Sequence, residues 1–339
     1  MAINLVELDS LEILVIVDNE LDPISPCPNE AVQQFGTIRD IGLHGAHIAS
    51  NRGGAKRELR MDGICCSAHG LSLMITGIKG DKKHTLLFDT GPEEHVWERN
   101  AKRLKADVGL IETIHLSHWH RDHSGGMLKA IQMIKDAQGS TNADLSVELH
   151  PARPDFRGFM AMEPVSMEAD PTFEEITAAG GKVMKNTQAH AVLDEMFLIS
   201  GEIPRQTAYE VGLKRGIRYD ASKACWEEDT MIKDERFVMC KLKDKGIVVF
   251  TGCSHAGVVN TCRNAVALGN GASLYAVMGG FHLADAEAGM IASTVQDLVN
   301  LDTKLLLAGH CTGWRAKFAI EKQMPGCLVP SFVGSKFIL

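Results

Sequence analysis

The sequence predicts an α/β protein built as one layered domain, on three observations. Apolar, β-branched runs of strand length, at residues 11–17 (LEILVIV), 247–250 and 274–278, alternate with stretches of helical period. Three such runs, 247–250, 274–278 and 305–308, lead into Gly-rich turns that carry histidine: TGCSHAG, GGFHL and GHCTG. No linker rich in Pro, Gly or Ser separates two halves, so residues 1–339 read as a single domain. In α/β proteins such strand-end turns are where chemistry gathers, because a rigid sheet edge positions their side chains.

Residues 11–17 predict a buried first strand. Residues 22–63 hold Pro23, Pro26, Pro28 and the stretch NRGGAKRELR, and read as a long excursion or lid. Strands at 71–75 and 85–88 are joined by the polar turn KGDKK, followed by a helix over 93–104 and a strand over 114–116. Met127, Ile131 and Ile134 recur at helical spacing, so a helix opens near Ser124, with free N–H groups turned toward the preceding loop. Residues 142–234 mix strand, turn and helix signals. Asp234 and Glu235, ahead of a strand over 237–240, read as a solvated turn. His44, His47, His84 and His95 lack a partner pattern and read as surface residues, whereas His115 points into structure.

Hydrophobic residues make up 45% of the 339 and charged residues 23%, enough for a core of ordinary size. A formal net charge of −8 argues against a general nucleic-acid binder, which needs a basic face. It leaves room for a local pocket taking one small, anionic substrate. No run approaches the ~20 apolar residues of a membrane span, and the opening MAINLVELDS has no signal-peptide pattern. Nine cysteines without framework spacing predict reduced thiols and a cytoplasmic setting. The expected partner is therefore a small molecule, with neither nucleic acid nor membrane.

The segment SHWHRDHSGG places His118, His120, Asp122 and His123 within six residues, between a strand and a Gly-Gly helix start. Imidazole and carboxylate together suit Zn²⁺, with Mn²⁺ or Fe as alternatives. His118 and His120 can address one ion from an extended turn, and Asp122 and His123 a second. Two ions ~3.5–4 Å apart would share a bridging hydroxide. A lone histidine on an apolar face is more often a packed core residue than a ligand. Four ligand types so close together are a different case.

H-x-H-x-D-H after a strand, preceded by LLFDTG (Asp89 to Gly91), resembles the metallo-β-lactamase superfamily. VDN, HGLSL, LLFDTG, LSHWHRDHSGGM, SGEIPR, TGCSHAGVVN, GGFHL and GHCTG follow one another in the order of one subfamily. That subfamily is typified by the archaeal-type dihydropterin-methyl-ribofuranosylaminobenzene-phosphate synthase. The resemblance covers residues 11–313 and fits least well over the excursion. It implies the αβ/βα four-layer sandwich, two mixed sheets flanked by helices, with metals at one sheet edge.

The resemblance further implies a ligand set of His118, His120, Asp122, His123, His255 and His310, with Asp122 also orienting the bridging hydroxide. Asp89 would support the ligands from beneath. Cys253 stands where many superfamily members place a bridging Asp, so either His255 binds with Cys253 behind it, or Cys253 binds as thiolate; His255 is favoured. Glu202, in SGEIPR, is a candidate ligand or substrate contact, and Arg205 a candidate anion anchor. His69, His282 and Trp119 are candidates to line the pocket, and Cys311 reads as packed. The implied activity is a dinuclear zinc hydrolase acting on an ester, lactone, thioester or phosphoester. The alternatives are a synthase that displaces phosphate or diphosphate, an iron oxidoreductase, and a non-catalytic binding module.

Overall fold

A computed structural model describes residues 4–44, 53–139 and 144–339. Its first third holds β1 (Glu7–Leu8), β2 (Ser10–Val17), β3 (Gln33–Phe35), α1 (Ile38–His44), β4 (Ser72–Lys79), β5 (Lys82–Phe88), α2 (Glu94–Leu104), β6 (Ile111–His115), α3 (Arg121–Ser124) and α4 (Met127–Gln138). The middle holds β7 (Ser146–Leu149), β8 (Phe156–Met160), β9 (Pro164–Ser166), α5 (Phe173–Ala178), β10 (Lys182–Lys185), β11 (His190–Val192), β12 (Phe197–Ile199), β13 (Gly216–Asp220) and β14 (Cys225–Glu228). The last third runs β15 (Val238–Leu242), β16 (Gly246–Thr251), α6 (Val258–Leu268), β17 (Leu274–Gly280), α7 (Ala288–Asn300), β18 (Leu305–Gly309), α8 (Trp314–Gln323) and β19 (Lys336–Ile338).

Two mixed sheets carry the fold. The first orders its strands β10-β7-β6-β5-β4-β2-β19-β3, the second β11-β12-β15-β16-β17-β18, with β1 alongside β15. Alternation along β2 explains the layering. Leu11, Ile13 and Val15 join Leu73, Phe88 and Phe337 against Phe197, Val238, Val248, Phe250 and Met278 of the other sheet, forming the central core. Ile16 and Val17 belong instead to an outer cluster with Trp97 of α2 and Ile131 of α4. The far face of the second sheet buries Val249 and Val277 against Val259, Val295 and Ile320 of α6, α7 and α8. The four-layer αβ/βα order follows from these three apolar interfaces.

Parallel pairing fixes where the site lies. β5, β6 and β7 run parallel, as do β16, β17 and β18. Within each set, the C-terminal strand ends therefore open at one edge, which for the second set gathers the three histidine-bearing turns.

The middle segment resolves into an element the sequence left unordered, a third sheet with the order β14-β13-β8-β9. Part of the excursion is also ordered: β3 pairs antiparallel with β19 at the end of the first sheet. Other residues of the excursion, with α2, line a cavity of about 480 Å³ bordered by Leu21, Ile41, Ile64, Arg103 and Leu104. His47 lies outside the described residues. His44 and His95 are exposed. His84, expected at the surface, is instead largely covered and sits 3.0 Å from the Glu112 carboxylate. No helix among the described residues is long and apolar enough to cross a membrane.

Phe337, on β19 of the first sheet, is fully buried in the core between the two sheets. Phe337→Ala should lower unfolding free energy by about 3–5 kcal/mol, read by urea denaturation; a loss below about 1 kcal/mol would show that β19 is not part of the packed core.

Candidate metal centre

The centre grows out of five strand ends. β5 delivers Asp89, β6 delivers Ser117 and His118, β16 delivers Cys253 and His255, β17 delivers His282 and β18 delivers His310. Four of the residues just past these strands adopt left-handed backbone: Asp89 (φ 56°), Ser254 (φ 62°), His282 (φ 48°) and His310 (φ 47°). Such conformations cost non-glycine residues about 1–3 kcal/mol each and cluster where surrounding structure holds a functional geometry. Two glycines give the room. A Cβ on Gly252 would lie 2.3 Å from Ser117 Oγ, and one on Gly309 would lie 2.2 Å from Asp18 Oδ2.

Hydrogen bonds behind the histidines decide which ring nitrogen faces the centre. Ser117 donates from its backbone N–H and its hydroxyl to Asp89, at 2.7 and 2.8 Å. His123 Nδ1 lies 2.6 Å from the same carboxylate. With the Ser117 hydroxyl proton committed to Asp89, its oxygen accepts from His118 Nδ1 at 2.9 Å. His310 Nδ1 donates to Asn19 Oδ1 at 2.9 Å. In each ring Nδ1 therefore carries a proton, and Nε2 points inward.

These inward nitrogens converge. His123 Nε2 and His310 Nε2 lie 3.2 and 3.1 Å from Cys253 Sγ. Asp122 Oδ2 lies 3.4 Å from His123 Nε2 and 3.3 Å from His310 Nε2. On the other side, His120 Nδ1 lies 3.0 Å from His118 Nε2 and 3.2 Å from His255 Nε2. Two groups able to hold a cation result: Asp122, His123, Cys253 and His310, then His118, Cys253 and His255, with ligand atoms within 4.8 Å in each. Burial, then the Arg157 charge, pushes His120 down to about 3, and burial likewise carries His118 and His255 well below the usual imidazole range. Neutral imidazoles aimed at one another cannot all be satisfied by protons, which is the donor set a cation resolves.

Asp122 and His123 lie within the short α3, and α4 begins only at Met127. The amides expected to be free are used: Ser124 donates to His120 O, Gly125 to Arg121 O and Gly126 to Gly91 O. The first two close turns around α3 itself, and Gly126 reaches Gly91 O because the Gly-Gly pair packs directly on the segment after β5, where a Cβ on Gly125 would lie 1.8 Å from Pro92 O.

Asp234 and Glu235 are buried, at 3% and 2% exposure, which corrects the reading of a solvated turn. Asp234 accepts from the Trp119 N–H at 2.8 Å and pairs with Arg157 of β8, which also donates to Trp119 O at 2.9 Å. The third sheet thereby anchors the His118–His120 loop. Glu235 accepts from the His255 and Ala256 N–H groups at 2.8 and 2.6 Å, and burial lifts its carboxyl to about 7.

The remaining candidates fall in different places. Trp119 is fully buried in the outer core, its indole donating to His150 O, so it packs and does not face a cavity. Arg205 donates to the carbonyls of His255 and Met231, which brace the TGCSHAG turn. Glu202 is exposed and lies outside both groups. His69 is exposed beside Asp122, Nε2 to Oδ2 3.6 Å, with its ring 5.2 Å from that of His310. His282 lies beside His255, ring centroids 4.5 Å apart. His115 is buried, as expected. The supporting roles of Asp18, Asn19, Asp234 and Glu235 escaped sequence reasoning. Only VDN, already conspicuous as a motif, offered a signal for the first two.

No protein-family profile matches the chain. A solved structure of Tm1679, a metal-dependent hydrolase of the β-lactamase superfamily, superposes with a TM-score of 0.66 at 21% identity, covering 96% of this chain and 98% of the other. The metallo-β-lactamase fold protein YhfI from Bacillus subtilis superposes with a TM-score of 0.51 at 11% identity, covering 98% and 99%. The 7,8-dihydropterin-6-methyl-4-(β-D-ribofuranosyl)-aminobenzene-5'-phosphate synthase of Methanocaldococcus jannaschii is 30% identical over 256 residues, 74% of this chain and 83% of that one. The chain therefore belongs to the metallo-β-lactamase superfamily, in the family of that synthase.

Asp170, beneath the ligand segment, accepts from Ser124 Oγ at 2.5 Å, yet burial pushes its carboxyl up to about 6. A raised carboxyl holds its proton longer in the folded state. Its contribution to stability is therefore present in full below the unfolded value of about 3.9 and is lost as pH rises. Unfolding free energy should fall between about pH 4 and the folded value of about 6, and Asp170→Asn should flatten that slope. Equal slopes in urea titrations of the two proteins would contradict the assignment.

Proposed function

We propose that the chain is a dinuclear metal-dependent hydrolase acting on an ester, lactone or phosphoester-type small molecule. The observation that carries this reading is the convergence of inward-facing imidazole nitrogens, the Asp122 carboxylate and the Cys253 sulfur in two groups that share Cys253. Asp122, His123 and His310 would hold one ion, His118, His120 and His255 the other, and Cys253 both. The pair thus uses His255 and Cys253 together, where sequence reasoning weighed one against the other. Zn²⁺ suits this N/O/S set, with Mn²⁺ or Fe as alternatives. Two such ions supply Lewis acidity and a water of near-neutral pKa.

The chain's own residues would do the rest. Asp122, partly open with 18% of its side chain exposed, can take a hydrogen bond from the attacking water and hold its orientation. Asn19 Nδ2 donates to His69 Nδ1 at 3.0 Å, which leaves the His69 proton on Nε2, directed toward Asp122. Burial lowers the His69 pKa, so the ring is a neutral donor at pH 7. There it is placed to donate a hydrogen bond to a departing oxygen and steady the charge that develops on it. Glu235 and Arg205 keep the TGCSHAG turn in register from behind.

A second reading is supported by the 30% identity to the named synthase. In it the same residues would assist departure of a phosphate or diphosphate group during condensation. The two readings share the centre and differ in the acceptor that reaches it.

His120→Ala should lose bound metal and activity together, measured by elemental analysis and by hydrolysis of bis-p-nitrophenyl phosphate, lactones and thioesters. Unchanged metal content would refute the ligand set. Metal-loaded wild type that is silent across the whole panel would favour the synthase reading over the hydrolase.

A further inference from the structure

The dinuclear centre leaves two neighbouring side chains without a task. His282 stands at the turn after β17 and Cys311 in the turn after β18, both beside Cys253. One ligand atom from each of Cys253, His282 and Cys311 lies within 4.8 Å of the others. Cys311 Sγ also lies 3.5 Å from Cys253 O.

Three features separate this trio from ordinary packing. His282 holds left-handed backbone, φ 48°, so its turn is constrained to aim a bulky imidazole. Its Nδ1 is buried without a hydrogen-bond partner among the described residues, and an orphaned buried polar atom calls for a ligand. Cys311 occupies space that only glycine leaves open, since a Cβ on Gly280 would lie 2.6 Å from its sulfur. Around a tetrahedral Zn²⁺, with Zn–S near 2.3 Å and Zn–N near 2.0–2.1 Å, neighbouring ligand atoms stand about 3.4–3.8 Å apart. The trio's atoms, within 4.8 Å of one another, would close by up to about 1 Å to reach that spacing.

We propose that Cys253, His282 and Cys311 form a third, sulfur-rich cation position adjoining the dinuclear centre, which takes a thiophilic divalent ion such as Zn²⁺ or Cd²⁺. Binding deprotonates Cys311, and Cys253 where it is still a thiol, and releases those protons to solvent with no change in oxidation state. A fourth coordination place is left for solvent. The inference rests on the two-ion reading for the state of Cys253 but invokes two side chains that reading does not use.

The test is a metal count. Wild type, His282→Asn and Cys311→Ser proteins are loaded with excess Zn²⁺, freed of unbound ion by gel filtration, and analysed for zinc per chain. Three ions in the wild type and two in each variant, with unchanged far-UV circular dichroism, support the third position. Two in the wild type overturn it and leave the pair standing, whereas fewer than two remove both. A third ion kept by both variants lies elsewhere and also overturns it. A Co²⁺ titration of wild type alone guards against a variant that does not fold. The thiolate-to-cobalt charge-transfer band should grow through the third equivalent, and growth that stops at the second contradicts the proposal.

Discussion

The centre depends on one constraint: buried imidazoles whose outer nitrogens are committed to hydrogen bonds and whose inner nitrogens face one another. Asp89, Ser117 and Asn19 impose it by taking the Nδ1 protons of His123, His118 and His310. Left without a cation, these inner nitrogens have exchanged water for one another, the Cys253 sulfur and the Asp122 carboxylate, at 3.0–3.4 Å. Cation binding and the folded geometry are thus coupled. The fold bears the cost of arranging the ligands, and a cation returns that free energy when it binds.

The sheets make the arrangement rigid. Parallel pairing of β16, β17 and β18 brings three turns to one edge, and left-handed residues after the strands turn their side chains inward instead of continuing outward. Supporting contacts come from far along the chain. Asp18, at the end of β2, accepts from the His310 N–H at 2.9 Å across 292 residues. Arg157, on the third sheet, ties Asp234 to the loop that carries His118 and His120. That sheet also borders a polar cavity of about 400 Å³ lined by His150, Arg218, Thr230 and Lys233. Changes in the third sheet can therefore reach both the ligand loop and the space next to it.

Much of this was legible in the sequence. Strand and helix periods are local, so the apolar runs marked β2, β16, β17 and β18 within a residue or two, and β5 at its C-terminal end. Ligand types in H-x-H-x-D-H are also local, and the turns TGCSHAG and GHCTG stood out by composition. What failed was non-local. Asp234 and Glu235 looked solvated because charge in a short segment usually is, yet their partners are an arginine 77 residues away and amides 20 and 21 residues on. The third sheet was hidden because β8 and β13 pair across a long intervening stretch, with Phe156 opposite Tyr219. The Gly126 amide looked free because its acceptor, Gly91 O on the segment after β5, is a tertiary neighbour. The choice between Cys253 and His255 could not be made from spacing, since a shared sulfur requires both halves of the centre to be seen together.

The shared role of Cys253 is tested most directly by X-ray absorption at the zinc edge of protein loaded with two ions per chain. Sulfur at about 2.3 Å, averaging one per zinc, is the expected result, and Cys253→Asp should replace it with oxygen. A wild-type spectrum fitted by nitrogen and oxygen alone would contradict a sulfur held between the two ions.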